Sequence, residues 1–331
     1  MAQMKYFYEL TISSSPHFHG PTTTQTIMRD VLIALAPALA ASVYFFGFRA
    51  LLVTLVSAAA CVFFEWGWCK LRKTDCKVHD LSCVVTGVLL AFVCPVTIPY
   101  WTLILGDFFA IIIVKMLFGG LGKNIVNPAL AGRAFMFSWP VLMSTWVKVG
   151  FSNAAGVLSA ADAVTAATPL ANMHQGMMPE ATIGQMFLGN VGGCLGETSA
   201  LLLLVGFAYL LIRKVISARI PVAFIGTVAV LTFLFPQGND RVAWMAAQIF
   251  GGGLMLGAVF MATDYVTSPV TKLGQVIYGI GCGVVTVLIR YFGGYNEGVS
   301  YAILVMNVCV VLLDRIGRPV KFGAPKKEAA K

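Results

Sequence analysis

Long apolar runs, separated by short polar segments, dominate this chain of 331 residues. The runs are nearly continuous, and only 11% of all residues are charged, against roughly a quarter in a soluble domain. Hydrocarbon offers no hydrogen bonds to a backbone, so such a chain crosses a membrane as helices or as a closed barrel. Because apolar and polar residues do not alternate, the pattern favours helices and predicts an all-α integral membrane protein.

A hydropathy window of about 19 residues predicts about ten transmembrane helices. The third and the fifth contain or adjoin Pro95, Pro99 and Pro140, and the sixth is long and rich in glycine. We therefore expect broken or re-entrant segments among them. The predicted spans are residues 31–48, 50–68, 81–98, 101–118, 129–146, 183–212, 220–236, 243–262, 274–292 and 299–316.

The lysines and arginines predict the orientation. If the N-terminus faces the cytoplasm, 19 of the 23 basic residues fall on the cytoplasmic side. The four on the opposite side are Arg49, Lys148, Arg241 and Arg290. The positive-inside rule then predicts a cytoplasmic N-terminal segment over 1–30, a basic cytoplasmic tail over 317–331, and an external loop over 147–182. This topology accounts for the net charge of +9 without a nucleic-acid partner.

Two halves of five helices each, over 31–146 and 183–316, are predicted on either side of the external loop. Because five is an odd number, the second half is inverted relative to the first, and residues 86–95 resemble residues 253–262 in sequence. Inverted repeats build central sites in many transporters. Chance similarity between apolar segments is the alternative explanation. A stand-alone channel or solute transporter is a further function that this architecture allows.

The external loop contains a compact motif of Asp162, Thr165, Thr168 and Pro169 among small residues. Small neighbours leave the threonine hydroxyls open to a bulky reagent, so a hydroxyl here is a candidate for modification. A proline disfavours helical geometry at the residue before it. The alternative interpretation is a capped turn, since aspartate and threonine are common helix caps.

This motif resembles the acceptor site at which a flavin transferase joins FMN to a threonine through a phosphoester. The site occurs in a membrane family that includes the D subunit of the Rnf electron-transport complex and the B subunit of the sodium-pumping NADH:quinone reductase. The resemblance implies covalent FMN on Thr168, with Asp162 and Thr165 as recognition positions. Ala166 stands where the family usually has glycine, a difference of one methyl group.

Three further segments resemble the same family, over 13–28, 119–129 and 261–269, so the similarity extends along nearly the whole chain. The short chain and its N-terminal Ser-Pro-His segment favour the Rnf branch over the quinone-reductase branch. The resemblance implies a subunit of an ion-translocating ferredoxin:NAD oxidoreductase that relays electrons while Na⁺ or H⁺ is moved. It also implies that this chain alone contains no complete active site.

The same resemblance implies a bacterial cytoplasmic (inner) membrane location, contact with lipid, and other membrane and peripheral Rnf subunits as partners. The flavin transferase would be a transient partner. The segments 119–129 and 261–269 break helices with glycine, proline and polar side chains. They are candidates for holding a second flavin such as riboflavin, or an ion, with simple re-entrant turns as the alternative.

Two acidic residues, Asp107 and Glu197, lie inside predicted spans. An unpaired charge there costs at least a few kcal/mol, so such residues pair, bind protons or line a path. We consider both to be candidates for an ion or proton route, with structural pairing as the alternative. The eight cysteines contain no C-x-x-C pair, which predicts ordinary buried thiols and no metal site.

Overall fold

The computed structural model describes residues 22–74, 78–147, 168–197 and 199–316, and the regular elements in these ranges are helices. In chain order they are α1 Thr24–Phe46, α2 Phe48–Arg72, α3 Ser82–Phe92, α4 Tyr100–Phe108, α5 Pro128–Met136, α6 Pro140–Met143, α7 Pro169–His174, α8 Ile183–Leu188, α9 Ala200–Ile212, α10 Arg219–Leu234, α11 Arg241–Phe250, α12 Leu254–Leu256, α13 Lys272–Phe292 and α14 Val299–Leu313. Two helices continue as π-helices: α4 into Phe109–Met116, and α12 into Gly257–Met261. A short 3-10 helix, Val78–Asp80, precedes α3.

Three of these helices, α1, α2 and α13, are long and apolar enough to cross a membrane. Helix α11 and α12 with its π-helix form a fourth candidate span, bent by 62° at the break between them. Helices α3, α9, α10 and α14 are apolar but shorter. The chain is therefore membrane-embedded, and its described residues form an all-α fold, as the apolar runs predicted. The total of about ten spans stays a prediction.

Local sequence explains how α1 begins and ends. Thr23 caps its N-terminus by accepting a hydrogen bond from the backbone N–H of Thr26, whose hydroxyl side chain in turn accepts from the backbone N–H of Thr23. The helix ends at Gly47, whose φ of 79° lies in the left-handed region that favours glycine. Helix α2 begins at the next residue. One glycine thus joins the two long helices.

The sequence-based prediction of one helix over 183–212 is wrong. The structure has two helices there, α8 and α9, and residues 189–197 between them are not helical. Gly189 ends α8 with a φ of 102°, and Ser199 caps α9. The glycines that made the run look like a flexible helix instead favour irregular backbone, because glycine loses most conformational entropy when it is held in a helix.

The third predicted span is also shorter than expected, because α3 ends at Phe92 and residues 93–99 are not helical. Buried Arg49 holds this segment: its Nε donates to the carbonyl oxygen of Val96 at 2.7 Å and its Nη2 to that of Ile98 at 3.1 Å. The predicted fifth span is likewise divided, into α5 and α6, with Pro140 as the first residue of α6. Side-chain donors thus satisfy carbonyl groups that leave helical geometry inside the membrane-embedded body.

Glycines allow two long helices to approach closely. Helix α13 carries Gly279 and Gly283 four residues apart, and a Cβ atom at Gly279 would lie 2.9 Å from the carbonyl oxygen of Ile220 in α10. A Cβ at Gly283 would lie 3.1 Å from the carbonyl oxygen of Phe224. Small residues at this spacing are typical of membrane helix pairs, where packing must replace the hydrophobic effect.

We expect Gly279→Leu to destabilise the protein by about 1–3 kcal/mol, the usual cost of overpacking a tight contact. The matched control is Gly226→Leu on α10, where a Cβ atom would meet nothing within 4 Å. Thermal unfolding in detergent micelles measures both. Equal melting temperatures for the two variants would contradict the close α10–α13 contact.

Candidate functional site

Thr168 is the N-cap of α7. Its backbone is extended (φ −79°, ψ 151°), Pro169 is the first residue of the helix, and its Oγ1 accepts a hydrogen bond from the N–H of Ala171 at 3.3 Å. The capped turn considered from sequence is therefore present at Thr168, and an extended residue before a proline is the expected geometry. Asp162 and Thr165 lie outside the residues that the structure describes.

Thr168 lines a cavity of about 270 Å³, here called the Thr168 cavity. This volume is near the lower end of the range for small-molecule sites. Aromatic side chains form much of its wall: Phe137, Trp146, Phe250, Tyr295 and Tyr301. Its charged residues are Arg133, Glu197 and Glu297. The threonine hydroxyl therefore lies beside a space that combines aromatic faces with a buried cation and two acids.

Three of the aromatic rings contact one another. The ring centroids of Phe137 and Tyr295 are 5.7 Å apart, and those of Tyr295 and Tyr301 are 5.1 Å apart. Such edge-on and tilted pairs are favourable because of the ring quadrupole. They form a rigid aromatic wall of the kind that suits a planar ring system in a ligand.

Arg133 on α5 connects the acids. Its Nη1 donates to Ser300 Oγ at 2.7 Å and reaches Glu197 Oε1 at 3.5 Å, and its Nη2 forms an ion pair with Glu297. Its Nε is buried and has no hydrogen-bond partner in the described residues. The guanidinium thus contacts two carboxylates, and its Nε is a buried donor without a hydrogen-bond partner among the described residues.

Glu297 lies in the loop between α13 and α14. Its Oε1 accepts the backbone N–H of Gly253 at 3.0 Å, and its carbonyl oxygen accepts from Arg290 Nε at 3.1 Å. Burial raises the pKa of the Glu297 carboxyl, but the charges of Arg133 and Arg290 and the hydrogen bonds with Arg133 and Glu197 together outweigh it, so the pKa lies below its ordinary value. The stabilisation from this ion pair is present in full at neutral pH and is lost as the pH falls through the lowered pKa.

The sulfur of Cys194 and carboxylate oxygens of Glu197 and Glu297 lie within 4.8 Å of one another, a grouping that could hold a metal ion. Arg133, however, already bonds to both carboxylates and places a positive charge there. Cys194 Sγ also approaches Arg133 Nη2 at 3.7 Å and donates to the carbonyl oxygen of Val93 at 3.2 Å. We therefore interpret this group as an ion-pair cluster centred on an arginine.

The two acids chosen from sequence lie in different surroundings. Glu197 is in the non-helical segment before α9 and belongs to the Arg133 cluster. Asp107 is fully buried in α4, where its Oδ1 accepts from Ser57 Oγ at 2.7 Å and from Cys61 Sγ at 3.2 Å. No hydrogen bond or ion pair joins the two acids directly in the described ranges. Glu197 is thus paired with Arg133, and a place for either acid on an ion or proton route stays a prediction.

Sequence reasoning missed Arg133 and Glu297. The charge count had placed Arg133 on the cytoplasmic side, yet the side chain is buried in the Thr168 cavity. The available signal was a cation between apolar residues of a predicted span, which indicates a buried acidic partner. Lys115, which the count also takes as cytoplasmic, is likewise buried, with its Nζ 2.6 Å from Glu65 Oε2.

A second cavity, of about 80 Å³, lies at the other end of α5 and is here called the Asn127 cavity. Asn127 caps the start of α5, and its Nδ2 donates to the carbonyl oxygen of Met261 at 3.3 Å. The segments 119–129 and 261–269 therefore meet, as expected if they form one site. The volume holds about two or three water molecules. A second flavin or an ion in this place stays a prediction.

The geometry defines a membrane-embedded helical protein with a threonine-bearing, aromatic cavity at one end of a short central helix. The chain belongs to the NQR2, RnfD, RnfE family, whose model matches residues 11–323. It is 46% identical to the D subunit of the Na⁺-translocating ferredoxin:NAD⁺ oxidoreductase complex of Acetobacterium woodii, over 97% of this chain and 98% of that protein. It is 45% identical to the D subunit of the proton-translocating complex of Clostridium ljungdahlii, over 95% and 96%, and 35% identical to the D subunit of an ion-translocating oxidoreductase complex of Actinobacillus succinogenes, over 93% and 96%.

We expect Arg133→Met to lower stability by about 3–5 kcal/mol, because it leaves buried Glu197 and part-buried Glu297 without this cation. Thermal unfolding in detergent measures the loss, with exposed Arg219→Met as the control. Adding Glu197→Gln and Glu297→Gln to Arg133→Met should recover part of the stability, since the uncompensated charges are then removed. A triple variant as unstable as the single one would contradict the charge argument.

Proposed function

We propose that this chain is the D subunit of an Rnf-type complex that couples electron transfer between ferredoxin and NAD to translocation of Na⁺ or H⁺. Family membership and similarity over nearly the full length of relatives that carry this name support the proposal. Within the structure, the strongest support for this function is that Thr168 lines a cavity with aromatic and charged walls. Other membrane and peripheral subunits of the complex would supply the electron donor and acceptor.

Within that function, we propose that Thr168 carries FMN through a phosphoester to its Oγ1. The residues present fit such a group: Phe137, Tyr295 and Tyr301 offer aromatic faces for a planar ring, and the unpartnered Nε of Arg133 offers a buried donor. The flavin would supply one- and two-electron redox chemistry. The chain's own residues would hold the ring in place and exclude water from it.

Covalent attachment has a physical advantage here. The Thr168 cavity, at about 270 Å³, is small for a nucleotide cofactor, so non-covalent contacts alone would retain it weakly. An ester at Thr168 removes dissociation as a route of loss. Asp162 and Thr165 keep their proposed role as positions that the flavin transferase recognises, on the strength of the family motif.

We also propose the finer topology: about ten membrane segments in two inverted halves, both termini in the cytoplasm, and residues 147–182 outside the bacterial cytoplasmic membrane. The two cavities lie at opposite ends of α5, which supports placing them towards opposite sides of the membrane. Asn127 and Ala129, at the start of α5, line the Asn127 cavity, while Arg133 and Phe137, towards its end, line the Thr168 cavity. The basic residues favour the Asn127 side as cytoplasmic.

The flavin proposal predicts that Thr168→Asn abolishes the fluorescent band that denatured wild-type protein gives in a gel. Asparagine has no hydroxyl to esterify, yet it is as good an N-cap as threonine, so α7 keeps its start. Thr182→Asn is the matched control, because Thr182 caps α8 in the same manner. The mass of the peptide that contains Thr168 gives an independent measurement.

Two results would contradict this proposal. An unmodified Thr168 peptide from cells that contain the transferase would favour the channel or transporter alternative. A fluorescent band that persists in Thr168→Asn but disappears in Thr165→Val would move the attachment site to Thr165. Purification with quinone-reductase partners would instead assign the chain to the other branch of the family.

Topology is tested by cysteine labelling of intact cells. Met177 and Ile125 are both 52% exposed, and lie on the sides proposed as external and cytoplasmic. We expect a membrane-impermeant maleimide to label Met177→Cys at once and Ile125→Cys only after the cells are opened. Unsubstituted protein gives the background from the native thiols. The reverse order of labelling would overturn the orientation.

A further inference from the structure

Asp107 is a buried acid without a cation. It is 0% exposed in α4, and no lysine, arginine or histidine forms a salt bridge with it among the described residues. Its Oδ2 has no hydrogen-bond partner there. An ionised carboxylate in such surroundings would be unusually costly, because neither water nor a counter-charge compensates it.

The hydrogen bonds around Asp107 can be counted atom by atom. Ser57 Oγ lies 2.7 Å from Asp107 Oδ1 and 2.8 Å from the carbonyl oxygen of Gly87. A serine hydroxyl has one hydrogen, and a carbonyl oxygen only accepts. With an ionised carboxylate, one of these two short contacts would join two acceptors with no hydrogen between them.

One added proton removes this conflict. If Asp107 carries a hydrogen on Oδ1, it donates to Ser57 Oγ, and Ser57 donates to the carbonyl oxygen of Gly87. Each short contact then contains one hydrogen, and Oδ2 is a neutral carbonyl oxygen whose unpaired state costs far less than that of a charge. The close contact of α2 and α3 fixes this geometry, since a Cβ atom on Gly87 would lie 2.8 Å from the backbone of Ala58.

The titratable groups that face Asp107 do not supply a counter-charge. Cys61 from α2 contacts it, Cys83 of α3 lies in the same buried cluster as Cys61, and buried Cys94 in the segment after α3 is a further thiol that interacts with Asp107. Lys115, the cation that acts on Cys61 and Cys83, forms its salt bridge with Glu65. Helix α5 meets this part of α4 through Gly132 and Met136, which carry no charge. Thiols carry no positive charge and donate only weak hydrogen bonds, so they cannot neutralise an Asp107 carboxylate. A bound proton is then what keeps the Asp107 side chain uncharged.

From these contacts we propose that Asp107 is a proton-binding site and that its carboxyl holds the proton in this structure. On release, a water molecule enters beside the carboxyl, the O–H bond of Asp107 breaks, the proton passes to that water, and Ser57 turns its hydroxyl from Gly87 to the carboxylate. No electron is transferred in this step. The serine is a positioning residue that can satisfy either protonation state.

The helices that hold Asp107 also indicate where its proton goes. Ser57, Cys61 and Glu65 occupy one buried face of α2 at intervals of four residues. Glu65 pairs with Lys115, which stands eight residues beyond Asp107 and lines the Asn127 cavity. The route therefore leads along α2 towards that cavity. Use of the site in ion translocation rests on the function proposed above, whereas the bound proton rests on geometry alone.

The bound proton is tested by infrared spectroscopy of the purified complex, with and without exchange into D₂O. We expect Asp107→Asn to remove one carboxylic-acid C=O band that the wild type shows at neutral pH. Asp240→Asn, an exposed cap of α11, should leave that band unchanged. Ser57→Ala should keep the band but shift its frequency, because the acid loses its acceptor. Loss of no band in Asp107→Asn would overturn the proposal, and so would an unshifted band in Ser57→Ala.

The role in translocation is tested in membrane vesicles. We expect Asp107→Asn to slow ion translocation driven by ferredoxin oxidation about a hundredfold, the effect of losing a positioned proton-transfer group, while flavin fluorescence at Thr168 persists. Unchanged translocation in Asp107→Asn would refute a role for the site in the pump. Absence of flavin from wild type as well as variant would refute the proposed function and leave the infrared result valid.

Discussion

The ion-pair cluster of Arg133 is the interaction on which the Thr168 cavity depends. It joins α5 in the first half of the chain to Glu197 before α9 and Glu297 before α14 in the second half. Removing these charges from water, fully for Arg133 and Glu197 and in part for Glu297, is costly, and such clusters rarely add net stability over apolar packing. Their value is specificity: only one arrangement of these segments gives every charge a partner. The cavity wall is therefore defined by charge pairing, while the helices around it pack through apolar and small residues.

The irregular backbone beside that cluster is also held by contacts between the two halves of the chain. Residues 189–197 leave helical geometry, yet Leu195 N–H donates to the carbonyl oxygen of Cys94 at 3.1 Å and Gly196 N–H to that of Phe92 at 2.8 Å. The N–H groups of the irregular segment in the second half thus donate hydrogen bonds to carbonyl groups at the end of α3 in the first half. Non-helical backbone is tolerated at membrane depth when protein groups take the place of water. This pairing places Glu197 and Cys194 at the cavity instead of inside a helix.

The sequence prediction fails where long-range hydrogen bonds and ion pairs inside the protein decide the local structure. Hydropathy predicted the long helices α1, α2 and α13 correctly, because each is a continuous apolar segment long enough to cross a membrane. It could not separate α8 from α9, since a buried irregular segment is as apolar as a helix and its backbone bonds are long-range. The positive-inside count uses only position in the sequence, so it could not predict that Arg133 and Lys115 each pair with a buried acid. The cap at Thr168, by contrast, was readable because threonine before proline is a local signal.

The acids inside this protein differ in how their charge is compensated. That difference distinguishes acids that stabilise the fold from the one proposed to bind a proton. Glu65 has Lys115, and Glu197 and Glu297 share Arg133. In these clusters the charge of each acid is compensated by a neighbouring cation, and removing the cation would leave a carboxylate uncompensated. Asp107 has no such cation among the described residues and only hydroxyl and thiol neighbours. Its charge can change without stranding another, which is the property that a proton carrier needs.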